Sequence, residues 1–222
     1  MRFLCCLLLS CLGTNLLLGQ ESEKLSEDLV FSSDFEFNEG FYIVYQDFKN
    51  NRPLPFDSVY GTADLANADL IKKVLSEDEM VYSYDGKEIK VPTSRIWGYS
   101  SNGNVYMQIQ NRFNRVLTIG RICHVVASIT TMTPVYTNGM NSFGMPVGMG
   151  VSRVPTTEIK QVIFDFRTGQ TMDFNPDNLL LLLKENIALK DEFAGYSEKK
   201  RKEKLHSFMV RFNEANPLYF PE

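Results

Sequence analysis

Few residues in this 222-residue chain are placed to do chemistry. Cys123 and His124 are neighbours, and a thiol beside an imidazole is what a Cys–His nucleophile requires. The stretch around them reads as a strand, however, where consecutive side chains point to opposite faces. The two cannot meet without a local distortion. Cys123 shares its face with Val125, Ala127 and Ile129, so a buried structural thiol is expected rather than an exposed, electropositive, reactive one. His206, the other histidine, lies in a segment patterned for packing. Neither imidazole has acid or thiol neighbours at a metal-ligand spacing, and no G-x-S-x-G sequence occurs. No catalytic residue, metal ligand or cofactor is expected. Asp47, Asp57, Asp165 and Asp173 are the carboxylates available for hydrolysis, but spacing alone brings no two of them to a catalytic separation.

Two further groups suit binding. Met140, Phe143, Met145 and Met149 fall in 133–155 (TPVYTNGMNSFGMPVGMGVSRVP), where four Gly and three Pro interrupt the pattern on either side. That stretch reads as a long irregular loop. Its Met side chains would adapt to an apolar partner, ligate Cu(I), or simply cover the sheet. Trp97, Tyr99 and Tyr106 fall on one face of a hairpin and would stack on a sugar ring, or serve as core if helices cover that side. The basic run 199–204 (KKRKEK) would meet a polyanion or form a solvated helix face.

The elements that must position these residues are legible in the middle of the chain. Asp85-Gly86 is a two-residue hairpin signal that pairs Tyr84 with Lys87, Tyr82 with Ile89 and Met80 with Val91. Asn102-Gly103 repeats it, pairing Ser100 with Val105, Gly98 with Met107 and Ile96 with Ile109. Segments 113–119 and 122–131 continue an antiparallel meander, with Gly120 at a turn or bulge between them. A strand is expected at 41–45, loop over 46–61 and a short helix over 64–76. Strand character returns at 158–166 and 171–174. Two helices close the chain. The first starts at an Asn175 N-cap with Pro176 at its first turn and runs to about 189; the second spans 198–214. The whole reads as an α+β domain, a mostly antiparallel sheet with two C-terminal helices packed on it.

The N-terminus carries Arg2, an apolar run from Phe3 to Leu18, Gly19 and then an acidic stretch. That is the layout of a secretory signal over 1–19. An alternative reading ends the signal at Cys11, which would then carry a lipid anchor. Cleavage at 19 removes Cys5, Cys6 and Cys11 and leaves Cys123 as the single thiol. Residues 20–38 (QESEKLSEDLVFSSDFEFN) read as a loose acidic leader, and 39–222 as one domain. With 23 basic against 27 acidic residues, the chain lacks the basic excess of a nucleic-acid binder. No further run is long enough to span a bilayer.

Four phrases carry a resemblance: Gly40–Ile43 with 47–53 (DFKNNRP), Ile96–Tyr99 with Val105-Tyr106, Ile119-Gly120 with Cys123-His124, and 211–221 (RFNEANPLYFP). Together they resemble an uncharacterised family of exported Gram-negative bacterial proteins, mostly of gut-type anaerobes. The resemblance implies an envelope location and a single-domain fold, and it carries no activity, cofactor or catalytic residue. The expected function is an exported, non-enzymatic binding or scaffold protein of the envelope, whose partner is a protein or glycan. The alternative is a carboxylate-dependent hydrolase acting on an envelope or dietary polymer.

Overall fold

A computed structural model describes the backbone of residues 29–32, 34–61, 65–140 and 146–221, with their side chains apart from 29 and 137–149. Residues 1–19, expected to be an export segment, and their three cysteines lie outside the described residues. In chain order the elements are β1 (Leu29–Val30), β2 (Gly40–Tyr42), α1 (Tyr45–Lys49), α2 (Asn67–Ser76), β3 (Glu79–Tyr84), β4 (Lys87–Pro92), β5 (Gly98–Ser101), β6 (Asn104–Ile109), β7 (Arg112–Thr118), β8 (Ile122–Met140), β9 (Pro146–Asp165), β10 (Thr171–Asp173), α3 (Pro176–Leu182), α4 (Ile187–Ala194), α5 (Glu198–Ala215) and β11 (Tyr219–Phe220). The architecture is α+β. Seven antiparallel strands form the main sheet in the order β10-β9-β8-β7-β6-β5-β2, beside a β3–β4 hairpin and a β1–β11 pair.

Turn chemistry sets the meander. Asp85-Gly86 and Asn102-Gly103 all have positive φ, the type I′ geometry whose twist matches that of the flanking strands. Both hairpins take the register that this geometry dictates, from Tyr84↔Lys87 to Met80↔Val91 and from Ser100↔Val105 to Gly98↔Met107. The expected extension to Ile96 and Ile109 does not form. Thr93–Arg95 curls into a 3-10 turn, and only the bond from the Gln108 amide to the Trp97 carbonyl continues the ladder. A third such turn, Gln110-Asn111, has positive φ at both residues without a glycine and was not anticipated.

Alternation along β8 and β9 divides the core. Cys123, Val125 and Phe164 face an aromatic cluster with Tyr42, Phe48, Phe166 and Phe220. Ile122 and Ile163 face the C-terminal helices, against Leu179, Leu183, Phe193, Phe208 and Phe212. A third cluster seats α2 and the β3–β4 hairpin on Phe41, Ile96, Tyr99 and Phe113.

Four expectations need correction. Residues 29–38 are not a loose leader: β1 pairs with β11, and Phe31, Phe35 and Phe37 join the aromatic cluster. The segment 46–61 contains α1, whose first turn is closed by Asp47 accepting from the Val44 amide at 2.9 Å. Three helices close the chain instead of two. Asn175 caps α3 as expected, accepting from the Asn178 amide, but Asn186 breaks the run and caps α4 by accepting from the Leu189 amide. Finally, 133–155 is not an irregular loop. Its described residues continue β8 and β9 as one paired ribbon as far as Met140↔Pro146.

The prolines explain why a ladder survives there. The Thr130 amide points out of the ribbon, donating to Gln110 Oε1 at 2.9 Å. In an antiparallel ladder inward and outward amides alternate, so Pro134 and also Pro155, whose partner is Met132, occupy outward positions. Neither removes a bond from the β8–β9 ladder.

Candidate functional site

Beyond Thr130 and Thr157 the ribbon is an arm. At about 3.3 Å per residue it extends roughly 33 Å from Thr130 to Met140. Pairings Met132↔Pro155, Pro134↔Arg153 and Tyr136↔Val151 place these six side chains on one face. The opposite face carries Thr131, Thr133, Val135, Ser152, Val154 and Thr156. The first face continues, strand by strand, the sheet surface that bears His124 and Ile163 and is covered by α5 lower down. Past Gln161 no helix covers it. Ile159 is 79% exposed, Tyr136 68%, Met132 63% and Val151 60%.

A two-stranded ribbon is marginally stable alone, and its open edges are normally blunted by charge. Here residues 131–157 contain a single charged side chain, Arg153.

Of the expected contact residues, Met140 and Met149 lie on the paired arm, Met140 opposite Pro146 and Met149 opposite Asn138. Phe143 and Met145 lie outside the described residues. Met132, Tyr136 and Val151, which carry the exposed face, were missed. Their signal was the alternation of threonine with apolar residues over 130–137, hidden by the interspersed Pro and Gly.

The three aromatic residues expected together are divided. Trp97 lies in the aromatic cluster, its ring stacked on Phe48 at 4.6 Å between centroids. Tyr99 and Tyr106 stack on each other at 4.7 Å, and Tyr99 packs against Phe41 and Phe113. The tyrosine pair walls a small cleft of about 270 Å³ with Ala68, Ile71 and the amides of Asn102 and Asn104.

Cys123 and His124 diverge as strand alternation requires. Cys123 is fully buried, its Sγ 3.2 Å from the Gly120 carbonyl oxygen, and burial pushes its pKa up to about 12. His124 faces the helices, its Nε2 3.1 Å from Gln161 Oε1 and its ring near Phe174 and His206. Burial there lowers its pKa from the ordinary value. In a chain of residues 20–222 Cys123 is therefore expected to resist an aromatic disulfide reagent at pH 8 over an hour and to react stoichiometrically once unfolded in guanidinium. Fast labelling of the native state would contradict the burial.

The carboxylates do not converge. Asp47 is committed to the α1 cap, and Asp57 is exposed in a 3-10 turn. Asp165 accepts from the Arg167 amide at 2.8 Å within the turn leading to β10. Asp173 pairs with Val162, about 10 Å farther along the hairpin and, by alternation, on the opposite face. At this end of the sheet Glu185 bridges Arg121 at 2.9 Å and Arg167 at 2.5 Å, and the two guanidinium groups hold its carboxyl below the usual range. Together these groups line a cleft of about 250 Å³ over Ile122, Met172 and Phe212. Among the described residues no three His, Cys, Asp or Glu side chains gather as a metal site would need. No helix of the described residues is long and apolar enough to cross a membrane.

No curated protein and no solved structure matches this chain. Residues 40–216 match a family described as a Family of unknown function (DUF6563), which includes the sheet, the arm and all five α-helices apart from their terminal β1–β11 tie. The chain belongs to that family.

Proposed function

We propose that this protein is an exported, non-enzymatic binding or scaffold protein of the bacterial envelope that holds its partner by the β8–β9 arm. The export reading rests on the layout of residues 1–19, a basic start, an apolar run and a small residue ahead of an acidic stretch. The binding reading rests on one observation: the arm presents Met132, Tyr136, Val151 and Ile159, each at least 60% exposed, on a single uncharged strip interrupted only by Arg153. A contiguous apolar surface of this kind marks an interaction site, because water contact with it is unfavourable by about 25 cal/mol per Å².

The test compares two exposed tyrosines. A photo-crosslinking residue at position 136 of the arm is expected to yield a covalent adduct in intact cells. The same residue at position 84, on the β3–β4 hairpin and 61% exposed, is expected to yield none. A shortened variant replaces 132–155 by an Asn-Gly turn between Thr131 and Thr156. That pair is hydrogen-bonded across the ladder, as a two-residue turn requires. It is expected to unfold within a few degrees of the parent and to lose the association. Adducts of equal yield from both positions, or an association that survives the shortening, would overturn the reading.

A further inference from the structure

We infer that His124 is a proton-operated latch for the first half of α5. Once its ring takes up a proton, residues 198–206 leave the sheet and 207–215 stay docked. The latch works on the fold itself, whether or not the arm holds a partner.

His124 is only 6% exposed, flanked by Ile163 and Gln161 on β9, Phe174 after β10 and His206 on α5. A charged imidazole there loses its hydration, and among the described residues no carboxylate pairs with it. Gln161 Oε1, 3.1 Å from Nε2, can only accept, so Nε2 carries the hydrogen of the neutral ring and Nδ1 is the nitrogen that takes the proton.

The facing groups offer little compensation. His206 lies 6.3 Å away between ring centroids and adds a like charge when protonated. The cleft beside it, about 530 Å³, is lined by Lys202 and Glu203 of α5, Lys160 of β9 and Asp173 of β10, two charges of each sign. β7 adds Arg115, which by alternation with Val116 lies on the helix side. Burial lowers the proton affinity of His124; the bond to Gln161 works against that and His206 with it. Because the pKa is lowered in the closed state, the contact is at full strength above the ordinary imidazole value and weakens as pH falls below it.

The weak half of α5 is the half that covers His124. None of residues 198–207 is buried, and Ser197 supplies no side-chain cap. Lys200 and Lys204 lie over Tyr196, which precedes the helix, so they tie it to its own leading turn and not to the sheet. Phe208, Met209 and Phe212 are buried, and Asn213 holds Ile122 through two bonds of 2.8 Å, so the second half stays. Opening the first turns of α5 is therefore the least costly way to hydrate a charged His124. The ring so bared lies on the same face as Ile159 and Met132, and acid lengthens the open strip of the arm towards the domain.

Amide hydrogen exchange of residues 20–222 at pH 5.0 and 7.5, expressed as protection factors so that the intrinsic pH dependence cancels, tests the latch. Protection of 198–206 is expected to fall at least about threefold at pH 5.0, with a smaller change in 207–215. His124→Gln, which takes up no proton, is expected to remove the fall. In the parent chain the ring signals of His124 are expected to titrate below the ordinary imidazole value. Equal protection at both pH values overturns the inference, as does a fall spread evenly through 198–215 or one that survives His124→Gln. Should that variant fail to fold, the parent's titration decides: a His124 that titrates at or above the ordinary value overturns the inference.

Discussion

Removing residues 20–39 from a chain of residues 20–222 is expected to lower its stability by about 5 kcal/mol, an amount comparable with the whole stability of an ordinary domain. The segment lies outside the family match, which begins at residue 40, yet its Phe31, Phe35 and Phe37 are part of the core. Phe37 is 7% exposed and stacks on Phe48, while Phe31 and Phe35 contact Phe220. Burial of each phenylalanine is worth roughly 1.5–3 kcal/mol. Their loss also bares Phe48 and Phe220, both fully buried now. Polar ties disappear with them. The Ser100 hydroxyl donates to the Asn38 carbonyl, Asn38 donates twice to Asn51, at 3.0 and 2.8 Å, and Glu39 accepts from the Asn102 amide at 2.6 Å. Urea unfolding of 40–222 beside 20–222 measures the difference. A shortened chain that loses less than about 1 kcal/mol would show the aromatic cluster to be complete without its N-terminal third.

That segment also shows why sequence reading stopped where it did. Residues 20–38 are dominated by Glu, Ser and Asp, and Phe31, Phe35 and Phe37 follow neither a helical nor a strand period. They are recruited by a surface assembled from β2, α1 and β11, far apart in the chain, so no local pattern announces them. The hairpins were legible for the opposite reason. At Asp85-Gly86 and Asn102-Gly103 the register follows from two adjacent residues whose positive φ admits one turn type. Gln110-Asn111 adopts the same geometry without glycine, which propensity ranks too low to stand out. The arm was misread because Gly and Pro signal loops on average. Whether a given proline breaks a ladder depends on the direction of its nitrogen, and that parity is fixed only once the Gln110-Asn111 turn is placed beside Thr130. Of the candidate site, the form of the Met-containing stretch was misread, since its described residues are a paired ribbon. Separation of Cys123 from His124 needed only strand alternation, and it was correct. Separation of Trp97 from Tyr99 contradicted alternation, because the chain enters β5 from a 3-10 turn and the indole stacks on Phe48.

Asn213→Ala is expected to cost about 3 kcal/mol, the penalty for leaving two buried backbone groups unpaired at 1–3 kcal/mol each. Asn213 on α5 does for β8 what a neighbouring strand would do. Its Oδ1 accepts from the Ile122 amide at 2.8 Å and its Nδ2 donates to the Ile122 carbonyl at 2.8 Å. β7 ends at Thr118 in an irregular register, so no strand reaches Ile122 from that side. Gly120 makes the approach possible: a Cβ there would lie 2.3 Å from Nδ2 and 2.5 Å from Cγ of Asn213. The phrases around Gly120 and Asn213, nearly a hundred residues apart in sequence, are thus two halves of one contact that pins α5 to the start of β8. The geometry fixes the sign of their coupling. Gly120→Ala alone must displace the amide and is expected to destabilise by an amount similar to Asn213→Ala, whereas adding Gly120→Ala to Asn213→Ala finds the space vacant and costs little more. A double-mutant cycle from urea unfolding should therefore show the two changes sub-additive by at least 1 kcal/mol. Asn213→Asp separates hydrogen bonding from packing: its carboxylate still accepts from the Ile122 amide but repels the Ile122 carbonyl, so it should be no more stable than the alanine variant. Additive single changes, or an aspartate that restores stability, would mean that the amide is a bystander and that packing of Phe208 and Phe212 alone holds α5 on the sheet.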